Sequence, residues 1–179
     1  MNHNLFCNFR SRSQSGFTLL EILLTVAIIS IFVIVATVAV SAALTSFWLN
    51  GATSKMLADI RYAQQQARAR NGWYGIRFQA NPVNRYNVYS TDGSSDTDVP
   101  DPANLSQVLD VDVAADFGGI RITSVAIAAG NKAEFNPVGV PYDDALGSPL
   151  LNDATIILSL GGSTRTIKII KNTGRAELQ

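Results

Sequence analysis

Cysteine and histidine are nearly absent. The chain has one of each in 179 residues, Cys7 and His3. A lone cysteine excludes an internal disulfide. Cys7 is also a poor lipid-attachment residue, because Phe6 is too bulky for the small residue expected before it and no apolar stretch precedes it. With no histidine after His3, no Ser-His-Asp triad or zinc set can be assembled from the rest of the chain. P-loop and dinucleotide-binding glycine patterns are missing too. The adjacent acids Asp143-Asp144 follow Pro141 and read as a turn, not as a catalytic pair. The chain is therefore expected not to be an enzyme, and to use no cofactor or metal.

Charge is sparse as well. Charged residues make up 16% of the chain, apolar ones 47%, and the formal net charge is zero. No global field recruits nucleic acid or anionic lipid. The length suits one compact domain plus a membrane helix. Lysine and arginine are missing between Arg12 and Lys55, and proline before Pro82.

The N-terminus carries the strongest signal. Residues 1–16 are polar, with Arg10 and Arg12 and no acid, and an apolar run starts at Phe17 and continues to Val40. A secretory signal has the opposite order, with the apolar stretch ahead of the cut. As a helix rising about 1.5 Å per residue, the run reaches roughly 36 Å, enough to cross a bilayer core. The positive leader puts its own side in the cytoplasm. Glu21 is the only charge in the run. A carboxylate in an apolar helix costs free energy and wants a partner. A cut between Gly16 and Phe17 would create an amine at Phe17. On a neighbouring subunit, that amine could neutralise Glu21 and set the register of a polymer. The plainer reading is a simple single-pass anchor.

The segment Gly16-Phe17-Thr18-Leu19-Leu20-Glu21 resembles the class III signal of type IV prepilins and pseudopilins. The resemblance implies that a membrane prepilin peptidase cuts after Gly16 and methylates Phe17. It also implies that Glu21 is the assembly glutamate.

Beyond Val40, apolar or small residues recur at Leu49, Ala52, Met56, Ile60, Ala63 and Ala67, one face of a helix. Asn71-Gly72 is a natural stop, glycine tolerating a left-handed helix end. Gly51 predicts either a tolerated defect or a bend. After Gly72 the pattern becomes β-type. Trp73 to Phe78 and Arg85 to Tyr89 form a hairpin around Asn81-Pro82-Val83-Asn84. Further strands are expected across Leu109, Val111 and Val113, over Ile120–Ile127, Lys132–Phe135, Ala154–Leu160, Thr164–Ile170 and Arg175–Leu178. The expected fold class is α+β, a type IV pilin-like arrangement. A long N-terminal helix, its first half transmembrane, packs on a C-terminal antiparallel β domain. The expected divisions are a removed leader at 1–16, a helix over 17–71 that is transmembrane to about 40, and a periplasmic β-rich domain over 73–179.

The Ala-, Gln- and Arg-rich helix, the Phe135-Asn136-Pro137-Val138-Gly139 segment and the closing Lys171-Asn172-Thr173-Gly174-Arg175 together resemble the GspH/FimT family of minor pseudopilins. GspG, with its shorter soluble domain, and GspK, larger and without the assembly glutamate, are poorer matches.

Two clusters invite a ligand. Asp92, Asp96, Asp98 and Asp101 lie close together with Gly93, but the spacing is not that of an EF-hand, and a solvated loop is the expected reading. Arg165, Lys168, Lys171 and Arg175 make the C-terminal hairpin basic, whereas no Lys or Arg falls between Arg85 and Arg121. A basic strand pair can meet DNA phosphates, and some FimT-type members of the family it resembles bind DNA through basic residues near the C-terminus. Here Gly174-Arg175 is followed by Ala176 and Glu177, so the pattern is half met.

The resemblance implies a minor pseudopilin of the type II secretion pseudopilus, acting in protein export. The alternative is a FimT-like minor type IV pilin in pilus assembly or DNA uptake. Expected partners are prepilin peptidase, other major and minor pseudopilins or pilins, an inner-membrane assembly platform and secreted cargo, with DNA only under the alternative. The expected location is the inner membrane, single-pass, with the β domain in the periplasm. A third reading is an anchored periplasmic module that never polymerises.

Overall fold

The computed structural model describes residues 16–128 and 130–179, with the side chain of Val38 left aside. His3, Cys7, Arg10 and Arg12 lie outside the described residues. The chain divides into two compact units, residues 1–41 and 42–179.

Helix α1 spans Leu19–Arg70. Its start and its end follow from local chemistry. Thr18 caps the N-terminus, its Oγ1 accepting from the Glu21 amide at 3.2 Å. At the C-terminus Asn71 takes the left-handed conformation (φ 51°), and the Gly72 amide reaches back to the Ala67 carbonyl at 3.1 Å. This is a Schellman-type stop. The left-handed residue is thus Asn71, not the glycine expected for it. Gly51 stays helical, with no break in α1 there.

Unit two holds two antiparallel sheets. The first runs β3-β2-β1-β8-β9. It is built from β1 (Trp73–Gln79), β2 (Arg85–Thr91), β3 (Asp96–Asp98), β8 (Lys132–Phe135) and β9 (Pro141–Tyr142). Strand β6 (Asp110–Asp112) also pairs with β2. The second sheet runs β12-β11-β10-β7. Its strands are β7 (Arg121–Ala126), β10 (Ala154–Leu160), β11 (Ser163–Ile169) and β12 (Ala176–Leu178). A small hairpin joins β4 (Pro100–Asp101) to β5 (Asn104–Val108). The β1–β2 turn ties the sheets together. The Asn81 amide donates to the Ile122 carbonyl, and Asn84 Oδ1 accepts from the Ile122 amide, both at 3.0 Å.

The core forms where the helix stripe meets the strands. Leu49, Ala52, Met56, Ile60, Ala63 and Ala67 are all buried, in one cluster with Ile76, Phe78, Phe135, Ile156 and Ile167. In β10, Ala154, Ile156 and Leu158 alternate inward, as the period of two requires. Each fully buried Leu, Ile, Met or Phe of this core contributes about 1.5–3 kcal/mol, and each alanine less.

Two expectations change. Val113 does not extend a strand. Asp112 accepts from the Ala115 amide at 2.9 Å and starts a one-turn helix, α2 (Val113–Asp116). The acidic segment is not all loop either. Strand β2 continues past Tyr89, and Asp96–Asp98 pairs along it, Tyr89 facing Asp98 and Thr91 facing Asp96.

Candidate functional site

The residues that would be processed precede a capped helix. Gly16, Phe17 and Thr18 lie before α1, and Glu21 falls in its first turn. With Thr18 as N-cap, Glu21 occupies the third helical position. This is the accepting half of a capping box. A carboxylate there also opposes the positive end of the helix dipole. An amine created at Phe17 would sit next to the cap, at that same positive end. A carboxylate on a neighbour is the chemistry that would settle it. Thr18 is the residue that motif reading passed over, and its signal was the Thr-x-x-Glu spacing.

The segment after it offers a surface with no cover from the other described residues. Every described side chain from Phe17 to Leu44 is exposed, with Phe17 and Leu19 both at 77%. The helix is long and apolar enough to cross a membrane.

The basic residues do not form one face. Arg165 shares the inward side of β11 with Ile167 and Ile169. Its Nε reaches Asn50 Oδ1 on α1 at 3.4 Å. Lys168 lies on the other side of β11, paired with Asp153 at 2.9 Å. Asp153 also accepts from the Lys171 amide, while Lys171 Nζ donates to the Leu151 carbonyl at 2.7 Å. Those contacts hold the Asp153 carboxyl below its ordinary range, the Lys171 amide foremost, and raise Lys168. Arg175 pairs with Glu177. Lys168, Lys171 and Arg175 thus share their end of the hairpin with Asp153 and Glu177.

The four aspartates also go to separate partners. Asp92 accepts from the Ser94 and Ser95 amides at 2.8 Å, which holds its carboxyl far below the usual range. Asp96 pairs with Arg77, Asp98 accepts from Asn87 at 2.8 Å, and Asp101 accepts from the Ala103 amide at 2.8 Å. Among the described residues no three His, Cys, Asp or Glu side chains are placed to hold a metal.

The two short motifs of the second half meet on α1. Buried Gln64 donates to the Gly139 carbonyl at 2.8 Å and the Thr173 carbonyl at 2.7 Å. Arg68 Nε donates to the Val138 carbonyl at 3.1 Å. Gly174 (φ 67°) has no room for a Cβ, which would lie 2.5 Å from both Gln64 Nε2 and the Gly139 oxygen. The Phe135–Gly139 and Lys171–Arg175 segments therefore lock the β unit to the helix.

A family model described as the prokaryotic N-terminal methylation motif matches residues 11–37. No curated protein matches the chain. Among solved structures, the chain is similar to the minor pseudopilin EpsH from the Type 2 Secretion System of Vibrio cholerae. That match has 9% identity and a TM-score of 0.54, over 73% of this chain and 95% of that one. The fold is type IV pilin-like. The type IV minor pilin FimU of Pseudomonas aeruginosa also matches, at 16% identity and a TM-score of 0.48, over 73% of this chain and 87% of that one. The pilin-like chain thus pairs a methylation motif with an exposed apolar helix and a β unit locked to the helix's second half.

Proposed function

We propose that this chain is a minor pilin-type structural subunit, cut after Gly16, methylated on Phe17 and polymerised through its apolar helix. The observation that carries the reading is the methylation motif over residues 11–37, lying on a helix start whose apolar side chains are exposed. Phe17 to about Val40 would hold the subunit in the inner membrane, with the β unit in the periplasm, and later line the fibre core. Glu21 would neutralise a neighbour's N-terminal amine. Partners would be prepilin peptidase, other pilins or pseudopilins and an inner-membrane assembly platform.

Of the two machines, we favour the type II secretion pseudopilus, where the fibre moves folded cargo across the outer membrane. The fold likeness to a subunit of a type 2 secretion system supports this. So does the pairing of Lys168 and Arg175 with acids, which leaves fewer cations for DNA phosphates. The pilus alternative predicts salt-dependent DNA binding that is lost on Lys171→Ala with Arg175→Ala. We expect none at physiological salt.

The test is assembly in cells. Cysteine cross-linking between subunits along the helix should vanish in Glu21→Ala and largely return in Glu21→Asp. Unchanged cross-linking in Glu21→Ala would remove Glu21 from assembly, and no cross-linking in the parent chain would leave a plain anchor.

A further inference from the structure

Where α1 leaves the apolar run, unit two gathers an aromatic end. Leu44 and Phe47 are exposed, at 51% and 67%, and Trp48 stacks edge-on against Phe47 with ring centroids 5.5 Å apart. Two glycine turns close on this stretch of helix. One is Phe117-Gly118-Gly119. Gly118 lies so close to the Trp48 ring that a Cβ would fall 3.1 Å from it, while Phe117 faces Gly51. The other is the β10–β11 turn at Gly161-Gly162, with Gly161 beside Thr45. From Ser41 to Ser54 the chain carries no charged residue, and neither turn adds one. Charged residues nearby include two arginines at the same end of the second sheet, and Asp116 at the end of α2. Arg121 pairs with Ser159, next to the β10–β11 turn. Arg165 reaches Asn50 on the helix.

Trp48, whose ring is apolar and whose indole N–H is polar, beside an exposed phenylalanine and near arginines, has the composition of a membrane–water interface. Guanidinium groups there meet lipid phosphates. We propose that this end of unit two is a lipid-facing surface that rests in the headgroup layer of the bilayer while the subunit awaits assembly. Phe47 and Trp48, about 10 Å further along the helix than Val40, would lie among the headgroups, with Arg121 and Arg165 on phosphates. The partner is a phospholipid surface. The inference rests on the reading of Phe17 to Val40 as a membrane span. It also gives Arg165 a role apart from Lys168, Lys171 and Arg175.

The test uses the full chain in phosphatidylcholine bilayers with brominated acyl chains. The chain has two tryptophans, so Trp73→Phe leaves Trp48 as the sole reporter. Phenylalanine keeps a ring against Tyr142 at that site. Bromines near the glycerol end should cut Trp48 emission more than bromines near the chain ends. Phe47→Glu in the same background should weaken that loss. A parallel chain with Phe32→Trp, Trp48→Phe and Trp73→Phe reports the span and should be quenched most by deep bromines. If Trp48 keeps its full emission, or is quenched more by deep bromines, while the Phe32→Trp reporter behaves as expected, the interfacial surface is refuted and the span stands. If neither reporter is quenched, both ideas fall.

Discussion

At the scale of single residues, two buried acids govern how the β unit responds to change. Asp59 accepts from Lys55 and from the Tyr86 hydroxyl at 2.7 Å, and Glu134 accepts from the Tyr89 hydroxyl at 2.6 Å and pairs with Lys132 at 3.0 Å. The second oxygen of Glu134 is buried with no hydrogen-bond partner among the described residues. Tyr89→Phe should therefore cost about 1–3 kcal/mol in urea unfolding, since it strips a donor from a carboxylate that water does not reach. Burial first, then the neighbouring acids, raise both tyrosines far above their ordinary value of 10.0. Above that pH the folded chain holds protons that the unfolded chain has lost. The stabilisation is complete below about pH 10 and declines as the pH rises further. An alkaline titration followed by circular dichroism should show loss of structure beginning above pH 10. The slope should be shallower in Tyr86→Phe with Tyr89→Phe. A slope identical to that of the parent would remove these hydroxyls from the account. Lys132 adds a local clamp. Burial works against its charge, but its bonds to Asp144 and Glu134 prevail and raise it.

At the scale of elements, helix α1 tests the balance between backbone freedom and packing. Gly51 is helical, and a Cβ there would meet the Phe117 ring at 3.6 Å, an ordinary contact. Gly51→Ala should raise stability by about 0.5–1 kcal/mol, read as a higher unfolding midpoint in detergent. A drop would mean that the packing around Phe117 needs the glycine. Gln64→Ala should act in the opposite direction, since it leaves the Gly139 and Thr173 carbonyls without their donor, at a cost of about 1–3 kcal/mol. The elements were legible in the sequence wherever a period was clean. The stripe from Leu49 to Ala67 is the buried face of α1, and the Trp73 and Arg85 runs pair as the expected hairpin, Ile76 opposite Val88. The unforeseen parts were those set by short polar contacts. Strand β3 is all exposed and has no apolar alternation, so only its pairing with β2 defines it. Helix α2 depends on one cap from Asp112. At the candidate site, the run from Phe17 to Val40 was legible as one apolar stretch, and its described side chains are exposed along α1. The basic hairpin residues do not share one face, because the strand period of two puts Arg165 and Lys168 on opposite sides of β11.

At the scale of the molecule, the chain combines a β unit locked to the second half of α1 with a first half whose exposed apolar surface suits lipid or other copies of such a helix. Soluble proteins rarely leave so long an apolar stretch open. The account rests on the chain being cut at one peptide bond to create the amine that Glu21 meets. The most direct measurement is the mass of the mature N-terminus after expression with the matching prepilin peptidase. The account predicts a chain that begins at Phe17 and is heavier by one methyl group. An intact N-terminus, or a cut at any other bond, would contradict it and leave Glu21 without its proposed partner.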